Sequence, residues 1–117
     1  MTTPTPPAGP APEALERMLA AGRDGALLRM SLALAYHRRD DPHTASMHAT
    51  KALEFDADFT AAHRLQGLLA LELGDAAQAE AAFAKGLEVA QRRGELQLVK
   101  ELTMRLRRLR PVPPPTP

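Results

Sequence analysis

Thr60 to Arg93 reads TAAHRLQGLLALELGDAAQAEAAFAKGLEVAQRR. Its first half, Thr60 to Leu73, is apolar on most sides, with Leu65, Leu68, Leu69, Ala70, Leu71 and Leu73. A helix of that kind is one enclosed by neighbours. Gly74 can end it, and Asp75 followed by Gln78 three residues on has the spacing of a capping box that starts another. Ala76 to Arg93 then carries Ala79, Ala82, Phe83, Gly86, Leu87 and Ala90 on one face. The stretch predicts two antiparallel helices joined by a tight turn, the first capped by Asp58 or Thr60.

The segment before it, Ala26 to Phe59, repeats the plan about 34 residues earlier, the period of helical-hairpin repeats. Ala26 to Arg39 is apolar nearly all round (Leu27, Leu28, Met30, Leu32, Ala33, Leu34, Ala35, Tyr36) and is expected between neighbouring helices. It stops at Asp40-Asp41-Pro42, where Asp41 can cap the next helix and Pro42 sits in the first turn, where no N–H is needed. His43 to Phe55 has a narrow stripe of Ala45, Ala49, Ala52 and Leu53 and an otherwise polar surface, which makes it an outer helix.

Further out, Glu13 to Ala21 reads as a short helix with Ala14, Leu15, Met18 and Leu19 on one face, stopped by Gly22, with Asp24 as the next cap. After Gly94, Glu95 to Leu109 is amphipathic, with Leu96, Val99, Leu102, Leu106 and Leu109 inward. The chain is therefore expected to be all-α, with about six antiparallel helices in one domain over residues 13–110. Residues 1–12 and 111–117 hold ten of the eleven prolines and are expected to be disordered, extended tails.

The two copies, 26–59 and 60–93, resemble the tetratricopeptide repeat, as a small two-repeat module of bacterial type. In the second copy Gly67, Ala79, Phe83, Gly86 and the Gly74-Asp75 turn stand where that pattern wants them; in the first, Leu32, Ala33, Tyr36, Ala45 and Ala52 do. Small residues let helices approach and a large one fills the gap. The departures are His63 for a large aromatic, Asp40 for the turn glycine, Ala49 for the large outer-helix residue, and Ala57 and Arg93 for a proline between repeats. Helix 95–109 resembles the solvating helix that closes such a stack, since Lys100 and Glu101 replace the leucine and small residue of a further repeat.

Composition removes several function classes. Without cysteine there is no disulfide framework and no thiolate metal site, which suits a cytoplasmic chain. No stretch approaches 18 apolar residues and no basic-then-apolar leader opens the sequence, so neither a membrane span nor a secretory signal is expected. No glycine loop is arranged to cradle a phosphate, and Ser31 and Ser46 lie inside predicted helices, away from the role of an exposed nucleophile. Asp56-Ala57-Asp58 lacks the glycine and closing glutamate of a calcium loop. His37, His43, His48 and His63 miss the i, i+4 spacing that pairs imidazoles on one helix face, and are expected on the surface, exposed or hydrogen-bonded. No catalytic residue, metal site or cofactor is assigned.

Binding is the remaining class. The resemblance implies that the first helix of each hairpin lines a concave groove, here Leu27, Met30, Leu34, His37 and Arg38, then Ala61, Arg64, Leu68, Leu71 and Glu72. Spacing by three and four places these on one side of each helix. Met30 and Leu34 replace the lysine and asparagine of the family's clamp for chaperone-tail carboxylates, so the expected ligand is an amphipathic helix or apolar peptide of another protein. The groove is either open, covered by the N-terminal helix, or covered by a second copy in a homo-oligomer. Charge offers the alternative: from Gln91 onward the chain has seven basic and two acidic residues. Arg92, Arg93, Lys100, Arg105, Arg107, Arg108 and Arg110 form a candidate basic patch for an acidic partner, or for nucleic acid, which the near-absence of aromatic residues disfavours.

Overall fold

The computed structural model describes residues 9–110. They form α1 (Pro12–Ala20), α2 (Ala26–Arg38), α3 (Pro42–Phe55), α4 (Thr60–Glu72), α5 (Ala76–Arg93) and α6 (Leu96–Leu109), with no strand among the described residues. Each helix packs on the next in the chain: α2 with α3 and α4 with α5 are the hairpins, α3 against α4 joins them, and α1 and α6 close the ends. Most of the expected tails lies outside the described residues. Of the N-terminal one, residues 9–12 are described, and Pro12 is buried as the first residue of α1, a position pre-organised for proline.

One turn is used four times. After α1, α2, α4 and α5 the backbone enters the left-handed region at Gly22, Asp40, Gly74 and Gly94, with φ of 85°, 61°, 79° and 70°. In each the following N–H reaches back a full turn: Arg23 to Met18 O, Asp41 to Tyr36 O, Asp75 to Ala70 O and Glu95 to Ala90 O. These bonds satisfy carbonyls that a helix end leaves open. Asp41 and Asp75 then cap α3 and α5 by accepting from the Thr44 and Gln78 N–H groups at 3.2 and 3.0 Å. The other half of the box expected at Asp75 is pre-empted, because the Asp75 N–H already donates to Ala70 O at 2.8 Å.

Two other expected caps fall differently. Phe59, not Asp58 or Thr60, occupies the cap position of α4. Thr60 is the first helical residue and its hydroxyl donates to the Glu95 carboxylate, while Asp58 pairs with Arg92. Before α2, Asp24 accepts from the Gly25 N–H and holds Arg29, leaving Gly25 at the cap.

The core lies in three clusters along the stack. Met30, Ala33, Ala45, Ala49, Ala52, Ala62, Leu65 and Leu69 fill the junction of α2, α3 and α4. Phe83, Ala70, Ala79, Leu102 and Leu106 fill that of α4, α5 and α6. Leu15 of α1 seals the first end against Leu32 and Ala35. The small residues are there for approach: a Cβ on Gly67 would sit 2.2 Å from the Phe83 ring, so α4 can lie against that ring only at glycine.

Two histidines and one leucine depart from the sequence reading. His48 and His63 are buried, not on the surface. His63 Nε2 donates to Ala57 O at 2.8 Å, holding the α3–α4 turn against α4. Leu96, expected inward, is 71 % exposed. The inward residues of α6 are Leu102 and Leu106, with Leu98 and Leu109 packed beside them.

Candidate functional site

The first helices of the two hairpins meet where His37 of α2 lies 2.7 Å from Glu72 of α4, and they share one core cluster. On this face Leu27, Leu34 and Leu71 are 76 %, 39 % and 40 % exposed, Leu68 is half-buried and Ala61 is exposed. Helix α1 does not cover them. It packs against Leu28, Leu32 and Ala35, on another side of α2.

Met30 corrects the expected set. It is 8 % exposed, inserted with Ala33 between α3 and α4, and its side chain serves the core. The polar members are engaged too. Arg64 Nε donates to Glu101 of α6 at 2.6 Å, and Arg105 donates to the same oxygen at 2.8 Å. Burial alone would raise the Glu101 carboxyl, but the bonds from Arg105 and Arg64 outweigh it and hold the group below its ordinary value. Arg38 lies against Gly9 and Pro10 and is exposed. What remains is an apolar strip, exposed Leu34 and Leu71 with Leu68 half-buried against the α4–α6 core, bordered by internally paired charges. Such a strip can bury the apolar side of a helix or peptide and offers few specific hydrogen bonds.

Another depression lies away from this face. About 660 Å³ opens between α3, α4 and α5, lined by Ser46, Thr50, Gln66, Ala70, Gln78 and Lys85. Its polar floor is already satisfied. The Gln66 amide accepts from Ser46 Oγ at 2.9 Å and donates to Thr50 Oγ1 at 2.7 Å and to Ser46 O.

The basic patch does not survive as one surface. Arg92 pairs with Asp58, Arg93 with Glu95, Arg105 with Glu101 and Arg110 with Glu80. Arg105 also lies 5.8 Å from the centre of the Phe83 ring. Only Lys100, Arg107 and Arg108 have no ion-pair partner among the described residues. Arg92 and Arg110 tie α5 and α6 to carboxylates 34 and 30 residues away, which sequence order could not reveal, whereas the Arg93–Glu95 and Arg105–Glu101 pairs are local.

A polar cluster that the sequence reading missed sits between α1, α2 and α3. His48 stacks on Tyr36, centroids 5.5 Å apart and planes 11° from parallel. Arg29, which can only donate, bonds His48 Nδ1 at 3.1 Å, so that nitrogen accepts and the ring proton is on Nε2. Nε2 faces Glu16 of α1 at 3.5 Å, and the Tyr36 hydroxyl donates to Glu16 at 2.9 Å. Burial lowers the His48 pKa from its ordinary value, and Arg29 adds to this against the opposing pull of Glu16. The bond to Glu16 and burial raise that of Tyr36. The one signal available in sequence was His48 falling among the small residues of α3.

These features define a class, a short stack of helical hairpins with no helix among the described residues long and apolar enough to cross a membrane. No family model matches the chain. It is 39 % identical over 97 residues to the TPR repeat-containing protein PA0015 of Pseudomonas aeruginosa, a match spanning 83 % of this chain and 92 % of that protein. Its fold is similar to the solution structure of protein BPP2914 from Bordetella parapertussis, with a TM-score of 0.75, 40 % identity, and 86 % and 88 % of the two chains covered. The chain belongs to the tetratricopeptide-repeat proteins.

Proposed function

We propose that this protein is a non-catalytic interaction module of the cytoplasm that holds a helix or apolar peptide of another protein on the face of α2 and α4. The observation carrying this is the strip of exposed Leu34 and Leu71 with half-buried Leu68, beside charges that are paired among themselves. Covering a leucine side chain fully is worth about 1.5–3 kcal/mol, so a partner that buries this strip gains a specific anchor. A single-stranded nucleic-acid ligand is not favoured, because four of the seven cations counted for it are neutralised and the face has no aromatic platform.

The test is capture from lysate of the native host, with and without nuclease, using the full chain and a Leu34→Glu, Leu71→Glu form. Both positions are exposed, so the variant keeps its helices, as circular dichroism will verify. A protein retained by the native chain, insensitive to nuclease and lost with the variant supports the reading. Capture that survives the variant or vanishes with nuclease sinks it. Light scattering on both forms separates a foreign partner from a second copy: if the native chain is a dimer and the variant a monomer, the strip is a self-interface.

A further inference from the structure

The outward side of α6 carries an alternating stripe. Leu96, Lys100, Met104 and Arg108 follow one another at spacings of four, and all are exposed, Leu96 by 71 % and Met104 by 50 %. Spacing by four places such residues along one line of a helix. Lys100 and Met104 also line a depression of about 600 Å³ between α4 and α6, with Arg64, Gln97, Leu98 and Glu101. Leu96 and Met104 stand 34 residues after Ala62 and Ala70, which α4 buries against its neighbours. Met104 thus stands at the place of Ala70, which packs toward α5 and α6, and faces solvent; Leu96 stands at the place of Ala62, which packs in the junction with α2 and α3, and is exposed at the start of α6.

The charges on this stripe are of one sign and uncommitted. Lys100, Arg107 and Arg108 have no ion-pair partner among the described residues, and the flanking segments 1–8 and 111–117 contain no Asp or Glu. Every glutamate among the described residues has a partner: Glu101 holds Arg64 and Arg105, Glu80 holds Arg110, Glu95 holds Arg93, and those of the other helices are paired likewise. An apolar-basic-apolar-basic line along a helix is complementary to a second helix that alternates apolar and acidic residues at the same spacing. A second copy meeting α6 to α6 would set like charges together. A phosphate backbone would use the cations and leave Leu96 and Met104 uncovered.

We propose that the Leu96–Lys100–Met104–Arg108 stripe of α6 seats an acidic amphipathic helix of another protein, which at Met104 would take the place of a further outer helix of the stack. The seat adjoins the α2–α4 strip at Arg64 but shares none of its leucines, so it stands whether or not that strip binds a peptide.

The test uses the full chain and a helical peptide of about 16 residues, roughly four and a half turns, with leucine and glutamate alternating at every fourth position of one face. Controls are the same peptide with glutamine for glutamate and a short DNA duplex. Anisotropy of a labelled peptide gives affinity, and amide NMR shifts give location. The expected result is binding of the acidic peptide at least about tenfold tighter than the glutamine form, with shifts confined to α6 and its neighbours. Lys100→Glu with Arg108→Glu, and separately Met104→Asp, each weaken it by about tenfold or more, whereas Leu34→Glu with Leu71→Glu does not. A lysine-for-glutamate peptide binds the charge-reversed form and restores the interaction. No binding, equal binding of the glutamine peptide, or shifts centred on Leu34 and Leu71 overturns the proposal. So does a duplex that binds the same cations with indifference to Met104→Asp, which would make the stripe a nucleic-acid surface.

Discussion

The two hairpins solve one packing problem in different ways. Thirty-four residues separate Ala33 from Gly67, Ala49 from Phe83, Tyr36 from Ala70 and His48 from Ala82. In the second hairpin one large apolar ring, Phe83, is wholly buried over a glycine. In the first, Ala33 and Ala49 are both wholly buried and small, and the bulk comes from Tyr36 and His48 stacked nearby. A phenylalanine asks nothing of its surroundings but shape. A histidine and a tyrosine bring donors and acceptors that must be matched once they leave water. Arg29 and Glu16 supply those matches, and because Glu16 belongs to α1, the polar solution also fastens the N-terminal helix. No buried side-chain polar atom among the described residues lacks a partner.

Substitutions at these paired positions should separate the two solutions. Phe83→Ala is expected to cost the most, about 3–5 kcal/mol, since a fully buried ring leaves a cavity. Ala49→Gly, its counterpart, should cost only about 1 kcal/mol, the helix penalty of glycine. Urea unfolding of the two forms reads the difference directly, and near-equal losses would mean that the hairpins are not distinct in this way. Gly67→Ala comes next. The added methyl would meet the ring at 2.2 Å, and overpacking should remove about 1–3 kcal/mol despite the better helix propensity of alanine. Combining it with Phe83→Leu should cost less than the sum of the two, because the smaller side chain makes room. Strict additivity would show that the methyl is accommodated by a shift of the helix.

Acid should act on the first hairpin ahead of the second. Folding lowers the His48 pKa, so near pH 6.5 the unfolded chain binds its proton more readily than the folded one. Stability from this group is present above about pH 6.5 and falls as the pH drops through that value. Asp24 and Asp58, held low by bonds from Arg29 and Arg92, lose theirs only as pH falls to about 4 and below, so the windows separate. Thermal unfolding at pH 7.5 and 5.5 should show a drop that His48→Gln flattens. If the variant keeps the full drop, another group is responsible.

How much of this was legible in sequence depended on whether a feature is local. Turns and caps at Asp41-Pro42 and Gly74-Asp75 are set by residues within a few positions, and they were read correctly. The helices and their order follow from apolar periodicity, which is also local. The Thr60 cap misled because α4 already begins at Thr60, with Phe59 at the cap, and the Thr60 hydroxyl instead donates to Glu95, 35 residues on. Met30 and Leu34 sit one turn apart on α2 with similar hydropathy, and only the position of α3 and α4 decides that one is core and the other surface. Two pairings within the basic segment, Arg92 with Asp58 and Arg110 with Glu80, were hidden for the same reason, since their carboxylates come from distant positions. His48 was placed at the surface because nothing in α3 alone reveals that Arg29 and Glu16 will reach it.

The smallest contrast is at the turns, and it sharpens the comparison because there the two hairpins share a geometry but not a residue. Asp40 and Gly74 both take positive φ, 61° and 79°, and both are exposed. For an L-residue that conformation costs about 1–2 kcal/mol, somewhat less for aspartate. Glycine avoids this cost but surrenders about 0.5–1 kcal/mol through its freedom in the unfolded chain. Electrostatics nearly cancels: the Asp40 charge is unfavourable at the end of α2 and favourable at the start of α3. Asp40→Gly should therefore raise stability by about 0.5 kcal/mol, and Gly74→Asp should lower it by a similar amount. Chemical denaturation of both variants at low and high salt checks the balance. A loss at Asp40→Gly that disappears in high salt would show that the charge at the start of α3, and not backbone strain, governs the first turn.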